Sequence, residues 1–144
     1  SDALIYAGGG ILSKAFIQAA KNQIINLHSG PLPYIRGMNA IEWSIMLNYS
    51  QEITIHLIDE GVDTGDILSK RSIIIRPNDS IEFIRLNATY TCINEVINLL
   101  KNIHFFSQLK RFPNHGAKQN RQCYVMAPAI KEILDAKLKA YEIF

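Results

Sequence analysis

The chain has 144 residues, 48% hydrophobic and 19% charged, with a net charge of +2. That length holds one domain with a real core, and the composition excludes a disordered segment. The basic residues are scattered, and "KQNR" with Lys110 and Arg111 reads as a solvated loop, so no nucleic-acid surface is indicated. No apolar run is long enough for a bilayer and no leader is read at the front, so the expected setting is cytoplasmic.

The predicted elements begin with a buried strand at Ala3–Ala7, closed by three glycines. "SKAFIQAA" predicts a short helix capped by Ser13, and Gln23–Leu27 a second buried strand. Strand, helix, strand is the crossover unit of a parallel sheet. "GPLPYIRG" is a loop stiffened by Pro31 and Pro33. Asn39–Leu47 follows as a helix with Asn39 as its cap and Trp43 packed at its flank.

Glu52–Ile58 alternates like a half-buried strand. The turn-rich "DEGVDTGD" joins it to another strand at Ile67–Ile75, predicting an antiparallel pair. Asp79 and Glu82 form a candidate capping box for a helix running to about Ile103, with Ile84, Ala88, Cys92 and Val96 on its apolar stripe. Beyond it, residues 104–144 read as a loop, a strand at "RQCYVM" and a terminal amphipathic helix. Cys92 and Cys123 lie far apart without metal-ligand spacing, and both read as small core residues.

Three polar residues stand out. Asn26 and His28 are two apart at the end of an apolar strand, so they point to one face. The carboxyl end of a parallel strand is where open α/β sheets place ligands. Asp63 sits in a glycine-flexed loop that can fold over the same edge. Taken singly, each is ordinary strand-end or turn chemistry.

In combination they carry a resemblance. "INLHSGPLPYIRGMNAIEWSI" followed by "ITIHLIDEGVDTGDIL" resembles the folate-dependent formyltransferases. The shared elements are Asn26-x-His28, Leu32-Pro33, Arg36-Gly37, Thr54 with His56, and Asp63-Thr64-Gly65. The likeness covers residues 3–103 of a single catalytic domain, 1–144. It implies an α/β, Rossmann-like formyltransferase fold with a mostly parallel sheet and flanking helices.

The resemblance also implies transfer of a formyl group from 10-formyltetrahydrofolate to the amine of a small acceptor such as an amino sugar, without a metal. Asn26 and a protonated His28 would donate to the oxyanion formed when the amine attacks. His28 would relay the proton, and Asp63 would raise its pKa and orient it. The pterin would lie between the backbone of Gly10, Ile11 and Leu12 and the loop of Asp59, Glu60 and Gly61. His56 is expected to support that loop by hydrogen bonding, and Arg36 to meet an anion or pair at the surface.

Two departures stand beside the likeness. Ser29 comes one place earlier than the family's usual serine, and Gly30 takes that position. The first strands of the family fold are absent before Ala3. This predicts a truncated domain, or a homodimer that covers the exposed edge of the first strand. Two other functions compete with transfer to an amine: hydrolysis of the formyl-folate, and an idle remnant serving as a binding module.

Overall fold

The computed structural model describes residues 3–21, 23–101 and 104–140. In chain order it has β1 (Leu4–Tyr6), α1 (Lys14–Ala19), β2 (Ile24–His28), β3 (Ile35–Gly37), α2 (Ala40–Met46), β4 (Glu52–Leu57), β5 (Ile67–Ser72), α3 (Ile81–Lys101), β6 (Arg121–Cys123) and α4 (Pro128–Lys139). Four strands form one sheet in the order β1-β2-β4-β5, and β3 pairs with β6 in a second.

The opening unit is as expected. Ser13 caps α1 by accepting from the Phe16 amide at 3.2 Å, and β1 runs parallel to β2. The main sheet, however, is mixed rather than mostly parallel: β2–β4 and β4–β5 are both antiparallel. The residues between β2 and β4 are used in the proline loop, β3 and the seven-residue α2. That excursion stays at the carboxyl end of β2, as the pairing of His28 with Thr54 shows, so the chain re-enters the sheet reversed.

The stiff loop also holds an unexpected strand. Ile35–Gly37 pairs in parallel with Arg121–Cys123, joining segments more than eighty residues apart. Two cap assignments change. Asn39 precedes α2 with a left-handed backbone and makes no cap bond; its amide instead donates to Glu42 and accepts from the Met126 amide. At α3, Ser80 accepts from the Phe83 amide at 3.2 Å, while Asp79 closes the preceding turn by accepting from the Arg76 amide. The end of α3 near Ile103 and the last residues of the terminal helix lie outside the described residues.

Burial explains two further differences. Ile53 to Leu57 are all buried, where alternation predicts only one buried face, because loops cover the second face of β4. β5 ends at Ser72, opposite Glu52; beyond it the Ile73 amide still donates to the Gln51 carbonyl at 2.8 Å, and the buried Ile73 and Ile75 flank an Ile74 that is 72% exposed, so the period of two continues past the strand. α3 packs Ile84, Ala88, Cys92 and Val96 on the sheet. Burial pushes the Cys92 thiol up to about 11, as suits a core residue, and Cys123 is also raised by burial. β1 is the sheet edge, with Leu4 and Ile5 half-exposed.

The β3–β6 contact depends on Gly37. Its φ is +90°, and a Cβ there would stand 2.2 Å from the Cys123 carbonyl oxygen. Gly37→Ala is expected to destabilise the fold by at least about 2 kcal/mol, read as a lower urea midpoint. An unchanged midpoint would show that the second sheet contributes nothing.

Candidate active site

Asn26, His28 and Asp63 do come together, and the sheet register is the reason. β2 and β4 pair Asn26 with His56 and His28 with Thr54. The Asn26 amide nitrogen lies 2.9 Å from His56 Nε2. His56 Nδ1 donates to the Leu57 carbonyl at 2.8 Å, which fixes the ring with Nε2 turned toward Asn26 and Asp63. The Asp63 carboxylate closes the cluster. Its Oδ1 is 3.4 Å from Asn26 Nδ2 and 3.4 Å from His56 Nε2, and its Oδ2 is 3.4 Å from His28 Nδ1.

Several bonds hold the loop that brings Asp63 across. The Gly37 amide donates to Asp63 Oδ2 at 2.7 Å. Asn114 donates to the Asp63 and Gly65 carbonyls at 3.0 and 3.2 Å. Arg36 donates to the Val62 carbonyl at 2.8 Å and the Asn120 carbonyl at 3.1 Å. Arg36 is therefore a buried internal clamp rather than a surface pair. Asp63 itself has φ +52°, a left-handed conformation that these bonds sustain. Gly65 lets the loop close: a Cβ there would lie 2.0 Å from the Leu57 carbonyl oxygen. A bulge in the β4–β5 pairing at Ile55/His56 adjoins the same turn.

The preceding proline loop is tied down from β4. Thr54 donates to the Gly30 carbonyl at 2.7 Å and accepts from the Leu32 amide at 3.3 Å. Gly30 is required by the histidine beside it, since a Cβ would stand 2.9 Å from His28 Nε2 and 2.7 Å from the Ala40 Cβ. The Leu32–Pro33 peptide is cis. Thr54, Asn114 and the Gly37 amide take site-holding roles that the sequence reading did not assign. Asn114 carried no usable signal, because it lies in a loop remote in sequence.

The electrostatics differ from expectation in one respect. Burial is the largest influence on His28 and holds its pKa below the usual 6.5, although Asp63 and the Ile35 carbonyl pull upward. Asp63 does not raise the imidazole on balance. Burial alone would raise the Asp63 carboxyl, but the His56 hydrogen bond, the His28 and His56 charges and the Gly37 amide together bring it down to about 2. The cluster therefore holds an ionised Asp63 beside a neutral His28 at pH 7. His28 Nε2 donates to the Ile35 carbonyl at 2.8 Å, which leaves Nδ1 without a proton and turned to Asp63.

A cavity of about 320 Å³ adjoins this loop, lined in part by Ile58, Asp59, Glu60, Thr64, Gly65 and Arg111. It takes in Asp59 and Glu60 but not Gly61, and it does not reach Gly10, Ile11 or Leu12. Ile11 is exposed, and the Gly10 carbonyl accepts from the Tyr6 hydroxyl. α1 nonetheless touches the cavity rim, where Lys14 and Gln18 hold Glu60 at 2.9 and 3.4 Å. Among the described residues no group of three ligating side chains is placed to hold a metal ion, and no helix is long and apolar enough to cross a membrane.

Residues 2–90 match the sequence model of the formyl transferase family, and the chain belongs to that family. It is 30% identical over 142 residues to the methionyl-tRNA formyltransferase of Leptospira interrogans, covering 97% of this chain and 44% of that protein. To the same enzyme of Methylacidiphilum infernorum it is 40% identical over 111 residues, 76% of this chain and 34% of the other. The chain thus spans less than half the length of these relatives.

Among solved structures, it superposes with a TM-score of 0.80 on the formyltransferase PseJ of Anoxybacillus kamchatkensis, a complex with UDP-4,6-dideoxy-4-formamido-L-AltNAc and tetrahydrofolate. Identity there is 24%, covering 97% of this chain and 78% of the other. Glycinamide ribonucleotide transformylase 1 of Geobacillus kaustophilus is 27% identical with a TM-score of 0.57, covering 65% and 50%.

Acid is expected to weaken the fold in two stages. His28 has a folded pKa below its usual 6.5, so its contribution is full above 6.5 and is lost as pH falls through the folded value. Asp63 is depressed from 3.8 to about 2, so it contributes about 2 kcal/mol above pH 4 that disappears toward pH 2. Urea unfolding against pH should show that lower stage, and Asp63→Asn should remove it. Asn114→Ala is expected to speed amide exchange across Val62–Asp66 at least about tenfold with little change in the global midpoint; unchanged exchange there would show that Asn114 does not hold the loop.

Proposed function

We propose that this chain carries the catalytic centre of a formyltransferase that moves the formyl group of 10-formyltetrahydrofolate to an amine. The reading rests on one observation above others: Asn26 and His28 from β2, His56 from β4 and Asp63 from the following loop converge within 3.4 Å contacts in a buried cluster. Membership of the formyl transferase family supports it.

The cavity suits the flat head of the folate. At about 320 Å³ it is at the small end of ligand pockets, enough for a bicyclic ring with the remainder outside. Carboxylates and loop carbonyls on one side would accept from ring N–H groups, and Arg111 on the rim would meet an anionic tail. The bound co-substrate supplies an electrophilic formyl carbon; the chain supplies placement, hydrogen bonds and proton transfer.

In this scheme Asn26 is the oxyanion donor. Its hydrogen bond to His56 at 2.9 Å fixes the amide, while its 3.4 Å contact with Asp63 is weak and can be exchanged for the developing oxyanion. His28 Nδ1 is the unprotonated nitrogen that accepts a proton from the attacking amine, directly or through water. Asp63 beside it stabilises the imidazolium as it forms, and the proton then leaves for the folate nitrogen. This differs from a resting cationic His28 and follows from its burial.

The acceptor is an amine. The sequence favours a small one such as an amino sugar, whereas the curated relatives named above act under the name methionyl-tRNA formyltransferase, which makes aminoacyl-tRNA the second reading. Release of tetrahydrofolate, followed by absorbance with amino-sugar nucleotides, glycinamide ribonucleotide or methionyl-tRNA, tests both. Amine-dependent release is expected, with His28→Ala and Asp63→Asn each lowering it by about 10²–10⁴. Release without any amine would make the protein a deformylase, and no release with any acceptor would contradict the proposal.

A further inference from the structure

His28, Thr54 and Lys70 form a row across the sheet. His28 on β2 pairs with Thr54 on β4, and Thr54 pairs with Lys70 on β5. Residues directly opposite in paired strands point to one face, so all three side chains rise on the side that the proline loop covers. Each takes hold of that loop at a different place. His28 Nε2 donates to the Ile35 carbonyl at 2.8 Å. Thr54 donates to the Gly30 carbonyl and accepts from the Leu32 amide. The Lys70 ammonium donates to the Leu32 carbonyl.

Leu32 is fully buried, and among the described residues no other donor meets its carbonyl. A tight turn joins this carbonyl to the one on His28: Pro31 accepts from the Tyr34 amide at 2.9 Å and from the Ile35 amide at 3.1 Å. A shift of Leu32 is therefore passed on to Ile35. Glu52 does not account for where Lys70 points. Its carboxylate lies 3.9 Å from Lys70 Nζ, beyond hydrogen-bond range, and already accepts from Ser50. A lysine kept only for solvation would leave its ammonium in water.

We propose that Lys70 is a positioning residue for His28: by holding the Leu32 carbonyl it keeps the Ile35 carbonyl on His28 Nε2, so that Nδ1 remains the proton acceptor. The two nitrogens of a neutral imidazole share one proton, and the partner of one decides the state of the other. Here the partners compete. The ionised Asp63, 3.4 Å from Nδ1, draws the proton toward itself, and the Ile35 carbonyl draws it to Nε2. With the loop slack, the proton is free to move to Nδ1, and the ring can no longer accept there. The effect on turnover rests on the formyl-transfer reading above, whereas the effect on the His28 ring does not.

Nitrogen-15 NMR of the histidine rings in the free full chain at pH 7 reads the first effect. The parent His28 should show the Nε2–H pattern. Lys70→Met keeps the stem and removes the donor; it should move the two nitrogen shifts toward each other as the Nδ1–H form becomes populated. Lys70→Arg should return most of the parent pattern, and Glu52→Gln should leave it unchanged. Tetrahydrofolate release reads the second effect: Lys70→Met is expected to lower kcat at least about tenfold with KM for 10-formyltetrahydrofolate within about twofold, and Lys70→Arg to recover it. A parent ring with its proton on Nδ1, unmoved shifts in Lys70→Met, the same change in Glu52→Gln, no recovery by Lys70→Arg, or a loss carried wholly by KM would each overturn the proposal. If the parent releases no tetrahydrofolate with any acceptor, formyl transfer fails alone, and the ring shifts still decide the role of Lys70. If Lys70→Met does not fold by circular dichroism, Lys70→Thr, too short to reach the carbonyl, takes its place with the same expectations.

Discussion

The antiparallel register of β2 on β4 is the constraint on which the site depends. It sets Asn26 opposite His56 and His28 opposite Thr54. A slip of one residue would turn each of these side chains to the other face of the sheet. Held in this register, Asn26 and His56 lock each other's orientation, and Thr54 reaches the proline loop that covers His28. Because β4 turns directly into the Asp63 loop, the same pairing also fixes where the carboxylate arrives. Gly65 permits the close approach, and bonds from Arg36, Asn114 and the Gly37 amide hold it.

Burial then divides the charge unevenly. Asp63 accepts from the Gly37 amide and stays ionised, whereas His28, pinned by its Nε2 bond to a carbonyl and desolvated by burial, is favoured in its neutral form. A neutral acceptor next to a permanent anion is suited to taking up a proton during a reaction and poorly suited to holding one at rest. The cost is acid sensitivity, because both groups lose their native protonation as pH falls.

Much of this was legible in the sequence, for physical reasons. The apolar runs of β2 and β4, the Ser13 cap and the stripe of α3 are local patterns, and local patterns survive folding. Asn26, His28 and Asp63 stood out as a set through the family resemblance that several motifs carry together. What could not be read depended on contacts between distant segments. β3 formed only because Arg121–Cys123 returned to pair with it. Asn114 and the clamp of Arg36 exist only once residues near 120 lie against the Val62–Gly65 loop. The sign of the His28 shift also escaped, because spacing identifies the carboxylate neighbour but not the depth of burial. Asp79 and Asn39 misled as caps because each satisfied a different local bond.

The central claim is that His28 rests neutral, with Nε2 carrying the proton and Nδ1 free beside an ionised Asp63. Titration of the histidine ring nitrogens by nitrogen-15 NMR tests this most directly. The structure leads us to expect a neutral Nε2–H form of His28 at pH 7 that takes up its second proton only below 6.5. A His28 ring already doubly protonated at pH 7, or neutral with the proton on Nδ1, would contradict the account.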